Sequence, residues 1–179
     1  MSSNGQKDEL LRLLEPPAGK WAVLDPDEIA RGYGTPLPRD FLWLMETYGP
    51  GTVSDYLGIL PPVGAAEIGR VSGVCPSAAE PMEGWEGIEP EYLVHGGLYG
   101  WGYNPDGDGA FWSTVGESDD WRVVVCRRHH GPHEPAWTRY DCGIVEFLVR
   151  TFQARLPGNP FSGTDLWGNR SPSFARDPG

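Results

Sequence analysis

Three polar residues and a glycine in one short stretch of this chain match part of a calcium-binding loop. The first, third, fifth and sixth positions of that pattern are Asn104, Asp106, Asp108 and Gly109. In such a loop the side-chain oxygens bind the ion and the glycine allows a sharp turn. The twelfth position should be a bidentate Glu, but Val115 stands there, and the apolar stretches around the loop are typical of strands rather than helices. The sequence therefore favours a hairpin turn, and a cation site is the alternative.

A second group of residues has the side chains that bind zinc or nickel. It consists of Cys126, His129, His130, His133 and Glu134. Adjacent histidines point in different directions, Gly and Pro interrupt any helix between them, and no Cys-x-x-Cys pair accompanies them. The spacing favours a solvated loop, and a metal site is again the alternative.

Nucleophilic catalysis has little support in the sequence. The chain contains neither a Gly-x-Ser-x-Gly motif nor a glycine-rich phosphate loop. Cys126 follows three valines in a predicted strand, where a buried and unreactive thiol is the usual case. Asp119 and Asp120 have the carboxylates that acid–base chemistry uses, but they precede Trp121 in a predicted loop. We therefore predict a protein that is not an enzyme and that has no cofactor and no metal.

The net charge of −11 is unevenly distributed along the chain. Residues 61–120 contain one basic residue, Lys or Arg, and eleven acidic residues, Asp or Glu. Residues 1–60 contain five basic and nine acidic residues, and residues 121–179 contain eight basic and five acidic residues. Binding to nucleic acid depends on Lys and Arg that neutralise phosphates, so we expect no direct nucleic-acid partner. A basic protein is the electrostatic complement of an acidic segment, and solubility alone is the alternative explanation.

Aromatic residues on one predicted hairpin, residues 98–114, lie close in sequence to the acidic stretches. Alternation along the strands should send most of these rings into the core and leave part of the set exposed. An exposed aromatic group surrounded by charge is a common way for an interface to gain affinity. We therefore predict a partner-binding surface formed by Glu83, Trp85, Glu86, Trp101, Tyr103, Asp106, Asp108, Glu117, Asp119 and Asp120.

Apolar spacing and turn residues predict an α+β fold with a largely antiparallel sheet flanked by helices. Asp25 is expected to cap a short helix, and Asp141 to cap the last one at residues 143–156. Further helices are predicted at residues 38–48 and 64–71. Strands are predicted at residues 53–60, 92–95, 98–103, 110–114, 122–127 and 136–140.

The length of 179 residues suits one domain. We expect an N-terminal arm or short helix in residues 1–20, with residues 1–9 disordered, and a domain in residues 21–156. A loop-rich insertion should occupy residues 73–91, and residues 157–179 should form a tail that Phe161, Leu166, Trp167 and Phe174 could dock. The N-terminus is polar and the chain lacks an apolar stretch of about 20 residues, which suggests a cytoplasmic protein with no membrane partner. The three cysteines have no regular spacing, which suggests reduced thiols.

Several stretches in a fixed order resemble the SUKH superfamily. The first stretch, residues 37–62, consists of Leu-Pro, an aromatic-rich helix, Tyr-Gly and a strand that ends in Leu-Pro-Pro. The second is Trp-Gly-Tyr-Asn-Pro-Asp-Gly-Asp-Gly-Ala-Phe-Trp at residues 101–112. Then follow Gly-Glu-Ser-Asp-Asp-Trp with the strand after it, at residues 116–126, and a final helix at residues 143–156. The resemblance implies the α+β fold of that family and a bacterial immunity protein that neutralises a nuclease-like toxin domain. The family's fungal members suggest the alternative, a regulatory scaffold that binds cell-wall or signalling proteins.

Overall fold

A computed structural model describes residues 3–22 and 25–178 of the protein. Within these residues the chain forms a single α+β domain with four α-helices and eight β-strands. The helices are α1 (Ser3–Leu13), α2 (Pro26–Tyr33), α3 (Arg39–Tyr48) and α4 (Ile144–Phe152). The strands are β1 (Gly51–Val53), β2 (Leu57–Ile59), β3 (Cys75–Ser77), β4 (Leu98–Tyr103), β5 (Gly109–Ser113), β6 (Arg122–Cys126), β7 (Trp137–Tyr140) and β8 (Phe174–Arg176). No helix in the described residues is both long and apolar enough to cross a membrane.

All eight strands belong to one antiparallel sheet, which confirms the predicted fold class. Their order is β7-β6-β5-β4-β2-β1-β8, and β3 pairs with the first half of β4. The ladders of β4, β5 and β6 align Leu98, Ser113 and Arg122 at one end of the sheet. The β4–β5 turn and the loop after β6 therefore lie at the opposite end.

The first face of the sheet contains the main core and packs against α3 and α4, and α1 packs against α4. Phe41 of α3 meets Trp112 edge to face, with ring centroids 4.9 Å apart. Phe147 of α4 contacts Trp101 in the same way at 6.2 Å. The helices are held to the sheet by large aromatic side chains with well-defined geometry.

The second face is covered by residues 79–93, which we call the cover segment. Its apolar residues form a smaller core with Phe111, Val124 and Trp137 of the sheet; they are Ala79, Met82, Trp85, Ile88, Tyr92 and Leu93. The backbone N–H of Trp137 also donates to the backbone carbonyl of Glu86 at 3.2 Å. The loop-rich insertion is thus a structural layer, and it leaves its charged side chains on the outside.

Three predicted elements are wrong. Residues 53–60 form a hairpin, β1 and β2, because Ser54 and Asp55 have φ angles of 51° and 53° and reverse the chain. Residues 64–71 form successive turns, and the strand expected at residues 92–95 is replaced by a 3-10 turn at Pro90–Leu93.

The helix ends depend partly on distant residues. Asp25 caps α2 as predicted, with its Oδ1 accepting from the Asp27 N–H at 2.8 Å. The predicted cap of α4 is wrong: Asp40 of α3, not Asp141, accepts from the Val145 N–H, at 3.3 Å. The expectation of disorder in residues 1–9 is also wrong for the described part, because α1 begins at Ser3; residues 1 and 2 lie outside the described residues.

The C-terminal segment is docked on the domain. Phe161 and Leu166 are buried in the main core, and β8 extends the sheet beside β1. Phe174 contacts Tyr48 with ring centroids 5.3 Å apart. The Arg176 guanidinium donates to the backbone carbonyls of Ala18, Gly19, Thr47 and Tyr48. The chain after α4 is therefore an integral part of the fold.

Candidate protein-binding surface

The ten residues predicted to bind a partner do not meet at one place. Tyr103, Asp106 and Asp108 lie around the β4–β5 turn at one end of the sheet, and Glu117, Asp119 and Asp120 lie between β5 and β6 at the other end. Glu83, Trp85 and Glu86 belong to the cover segment on the second face. The predicted single surface is therefore three separate surfaces, with Trp101 inside the main core.

Two of the ten residues are too buried to contact a partner. Trp101 is fully buried among Trp112 and Phe147, and Asp108 is 1% exposed. Trp101 alternates into the helix-covered face of the sheet, where the large rings fill the core. Assigning these two residues to the interface is a mistake, and both are structural.

Asp108 connects three parts of the chain. Its carboxylate accepts hydrogen bonds from the backbone N–H of Arg128 and of Ser162, both at 2.8 Å, and from the Ser162 hydroxyl at 2.6 Å. Asn104 Nδ2 donates to the same carboxylate at 2.8 Å. Protein donors thus surround this carboxylate and fasten the segment after α4 to the β4–β5 turn.

Asp106 is half-buried and belongs to the same network. Its Oδ2 accepts from the Tyr56 hydroxyl at 2.7 Å, and that hydroxyl accepts from the Gly163 N–H at 2.9 Å. Burial of the Tyr56 hydroxyl, and next the hydrogen bond to Asp106, raise the pKa of Tyr56. The calcium-like sequence is therefore a hairpin turn whose oxygens are used within the protein, in agreement with the favoured interpretation.

The cover segment presents an acidic surface. Glu83 and Glu86 are exposed, while Trp85 between them is half-buried and packs 5.9 Å from the His130 ring. Glu80 and Glu89 are exposed on the same segment, and none of these four carboxylates forms an ion pair within residues 3–22 and 25–178. Apolar residues of the segment hold the backbone against the sheet, so the glutamates are attached to a folded support.

Asp119 differs from its two acidic neighbours. It accepts from the Arg39 backbone N–H at 2.9 Å and pairs with the Arg39 side chain, so it caps α3, whose own cap residue Pro38 offers no side-chain oxygen. Glu117 and Asp120 are exposed and form no ion pair among the described residues. Asp119 therefore supports the fold, while Glu117 and Asp120 have free carboxylates.

Sequence reasoning missed two exposed valines at this end of the sheet. Val94 is 58% exposed and Val115 is 53% exposed, next to Glu91 and Glu117. In the sequence Val94 falls in the wrongly predicted strand at residues 92–95, and Val115 directly follows the strand predicted at residues 110–114. Their exposure depends on where the strands end, which the sequence pattern does not define.

An open concave region lies along the outer face of α3, and its lining includes Arg39. This open groove has a volume of about 850 Å³, and its apolar lining includes Trp21, Leu42 and Trp43. Lys20 and Glu46 form an ion pair at 2.5 Å on its rim, and Lys7 lies 5.2 Å from the Trp43 ring centroid. Because its charges are largely matched within the protein, the groove gives no indication of the charge of a ligand.

No group of three or more His, Cys, Asp or Glu in the described residues is placed to hold a metal ion. Burial raises the pKa of the Cys126 thiol to about 12, and the pKa of the Cys142 thiol likewise to about 12. Both thiols are therefore protonated and weakly nucleophilic at neutral pH.

Comparison with protein-family models, with curated proteins and with solved structures found no match. The resemblance to the SUKH superfamily therefore stays a prediction from the sequence. The exposed acidic surfaces are the feature of the structure that bears most directly on binding.

Proposed function

We propose that this protein is a non-enzymatic binding module whose partner is a basic protein. The observation that carries the proposal is the distribution of ion pairs. Six ion pairs occur in the described residues, and only the Arg39–Asp119 pair includes one of the eleven acidic residues of the stretch 61–120. The other five pairs join acids and bases of the two flanking thirds. The uncompensated negative charge is therefore concentrated on the cover segment and on the loop between β5 and β6.

A concentrated negative surface favours a positively charged partner. Complementary potentials steer the encounter of two proteins and can raise the association rate by about 10- to 1,000-fold at low salt. The same surface repels the phosphates of nucleic acid. The charge distribution thus supports a basic protein as the partner, without direct contact to nucleic acid.

Together with the SUKH resemblance, this charge supports a more specific proposal. The protein acts in the cytoplasm as an immunity protein that binds and neutralises a toxin domain, such as a nuclease. A nuclease needs a basic cleft to hold phosphates, and an acidic protein surface can occupy that cleft in place of the substrate. The alternative is a regulatory scaffold for cell-wall or signalling proteins.

Co-expression with any toxin domain encoded beside its gene tests this proposal. We expect restored growth, and a one-to-one complex that is captured at low salt and weakened at high salt. Growth arrest by the toxin despite normal expression of the present protein, together with failure to form a complex, would reject the immunity function. Capture of several cell-wall or signalling proteins instead would favour the scaffold.

A further inference from the structure

Val94 and Val115 are two exposed apolar side chains at one end of the sheet. Residues 94–97 and 114–116 run side by side there, because the Thr114 N–H donates to the Gly97 carbonyl at 3.1 Å and the Thr114 hydroxyl donates to the Gly96 carbonyl at 2.7 Å. A Cβ at Gly97 would lie 3.0 Å from Val94 Cγ2. These contacts bring the segment of Val94 next to that of Val115.

Acidic residues occur in the same two segments as these valines and in the turn that follows. The backbone carbonyl of Glu91 lies against Gly97, and Asp120 Oδ2 lies 3.9 Å from the position of a Cβ at Gly116. Glu91, Glu117 and Asp120 form no ion pair in the part of the chain that the structure describes. We call Val94, Val115 and these three acidic residues the valine patch.

The arginines at this end do not neutralise the valine patch. Arg39 is paired with Asp119, and Arg122 is paired with Asp141 at 3.2 Å. The patch therefore combines apolar side chains that are more than half exposed with free carboxylates. This combination matches a partner surface on which an apolar side chain stands between Lys or Arg residues.

We infer that the valine patch is the docking site of the basic partner and that an apolar side chain of that partner packs against Val94 and Val115. The inference rests on the proposed function and adds the location and the chemistry of the contact. The carboxylates orient the partner during the encounter, and the valines slow its dissociation because they lose contact with water only in the complex. Covering the exposed half of two valines corresponds to about a tenfold gain in affinity.

A pair of synthetic peptides tests the inference without knowledge of the natural partner. One carries leucines between lysines and arginines, and the other has serine in place of each leucine. Titrated into the ¹⁵N-labelled full-length protein, the leucine peptide should shift the amide signals of residues 91–97 and 114–120. It should also bind about tenfold more tightly than the serine peptide.

The double variant Val94→Ser, Val115→Ser should reduce the affinity for the leucine peptide about tenfold. Val71→Ser is the matched control, because Val71 is 50% exposed but lies in the turns before β3, and it should leave the affinity unchanged. Signal shifts centred on residues 79–90 of the cover segment or on the α3 groove would overturn the inference. Equal affinities of the double variant and the control would overturn it as well.

The same variants separate this inference from the proposed function. If the protein neutralises the toxin and the double variant does so equally well, with equal affinity, the immunity function holds and the docking site is wrong. If the peptide binds at the valine patch but no toxin is neutralised, the docking site holds and the immunity function is wrong.

Discussion

The Asp108→Ala substitution should destabilise the fold, although the sequence alone assigned this residue to the interface. The substitution removes the acceptor of four hydrogen bonds, from the Arg128 N–H, the Ser162 N–H, the Ser162 hydroxyl and Asn104 Nδ2. A hydrogen bond to a charged group contributes about 1.5–3 kcal/mol, but four donors on one carboxylate do not add independently. Water can reach the Ser162 donors, which are only part-buried. We therefore expect a loss of about 3–4 kcal/mol in the free energy of unfolding.

Thermal unfolding followed by circular dichroism measures this loss. In a chain of this size each kcal/mol lost from the free energy of unfolding lowers the Tm by about 2–4 °C, so the Tm of Asp108→Ala should fall by about 10 °C. The Asp106→Ala variant loses only the hydrogen bond from Tyr56 and should lose about 1 kcal/mol. Asp165→Ala is the control, because Asp165 is exposed and its carboxylate accepts no hydrogen bond from the described residues. A Tm of Asp108→Ala within about 1 °C of this control would refute the structural role of Asp108.

Three further predictions concern Arg176, Asp40 and the cysteines. Arg176→Ala should lower the free energy of unfolding, measured in urea, by about 2–3 kcal/mol. Arg176→Lys should recover less than half of that loss, because the lysine ammonium cannot donate to the Tyr48 and Gly19 carbonyls at once as the forked guanidinium does. Equal stability of the two variants would contradict this role. Burial raises the pKa of Asp40 above its ordinary value of 3.8, so the folded state holds the proton more tightly than the unfolded state. Ionisation of Asp40 therefore lowers the free energy of unfolding as the pH rises from 3.8 through the folded-state pKa. Asp40→Asn should remove that part of the pH dependence. Parallel curves of the free energy of unfolding against pH for the wild-type protein and Asp40→Asn would contradict it. At pH 8 the thiols of Cys126 and Cys142, both with pKa values raised to about 12, should react with a thiol reagent only after denaturation. Cys75 is half-buried, so the labelled positions must be identified, and rapid labelling of Cys126 or Cys142 in the folded protein would exclude the burial described.

The fold could be predicted where the signal is local. Strand β4 has the predicted bounds, and Asp25 caps α2, because apolar alternation and capping residues act over a few positions. The β1–β2 hairpin was missed because Ser54 and Asp55 adopt positive φ without a glycine to mark the turn. The α4 cap was missed because Asp40 lies 105 residues from Val145.

The binding surface was less predictable than the fold. Exposure of Glu83 and Glu86 follows from their charge, since isolated carboxylates are rarely buried. Burial of Asp108 depends on Ser162, which is 54 residues away and has no sequence signal of its own. Exposure of Val115 depends on the end of β5 at Ser113. Contacts between distant segments therefore decided which acidic residues are free.

The binding of a basic partner can be tested by titrating the purified protein against any toxin domain encoded beside its gene. Toxin activity and the association rate constant would be measured at low and at high salt. We expect complete inhibition at one equivalent and an association rate constant that falls by about tenfold or more as salt screens the acidic surface. A toxin that stays fully active at excess protein, or association that is independent of salt, would contradict the claim that this acidic module binds a basic partner.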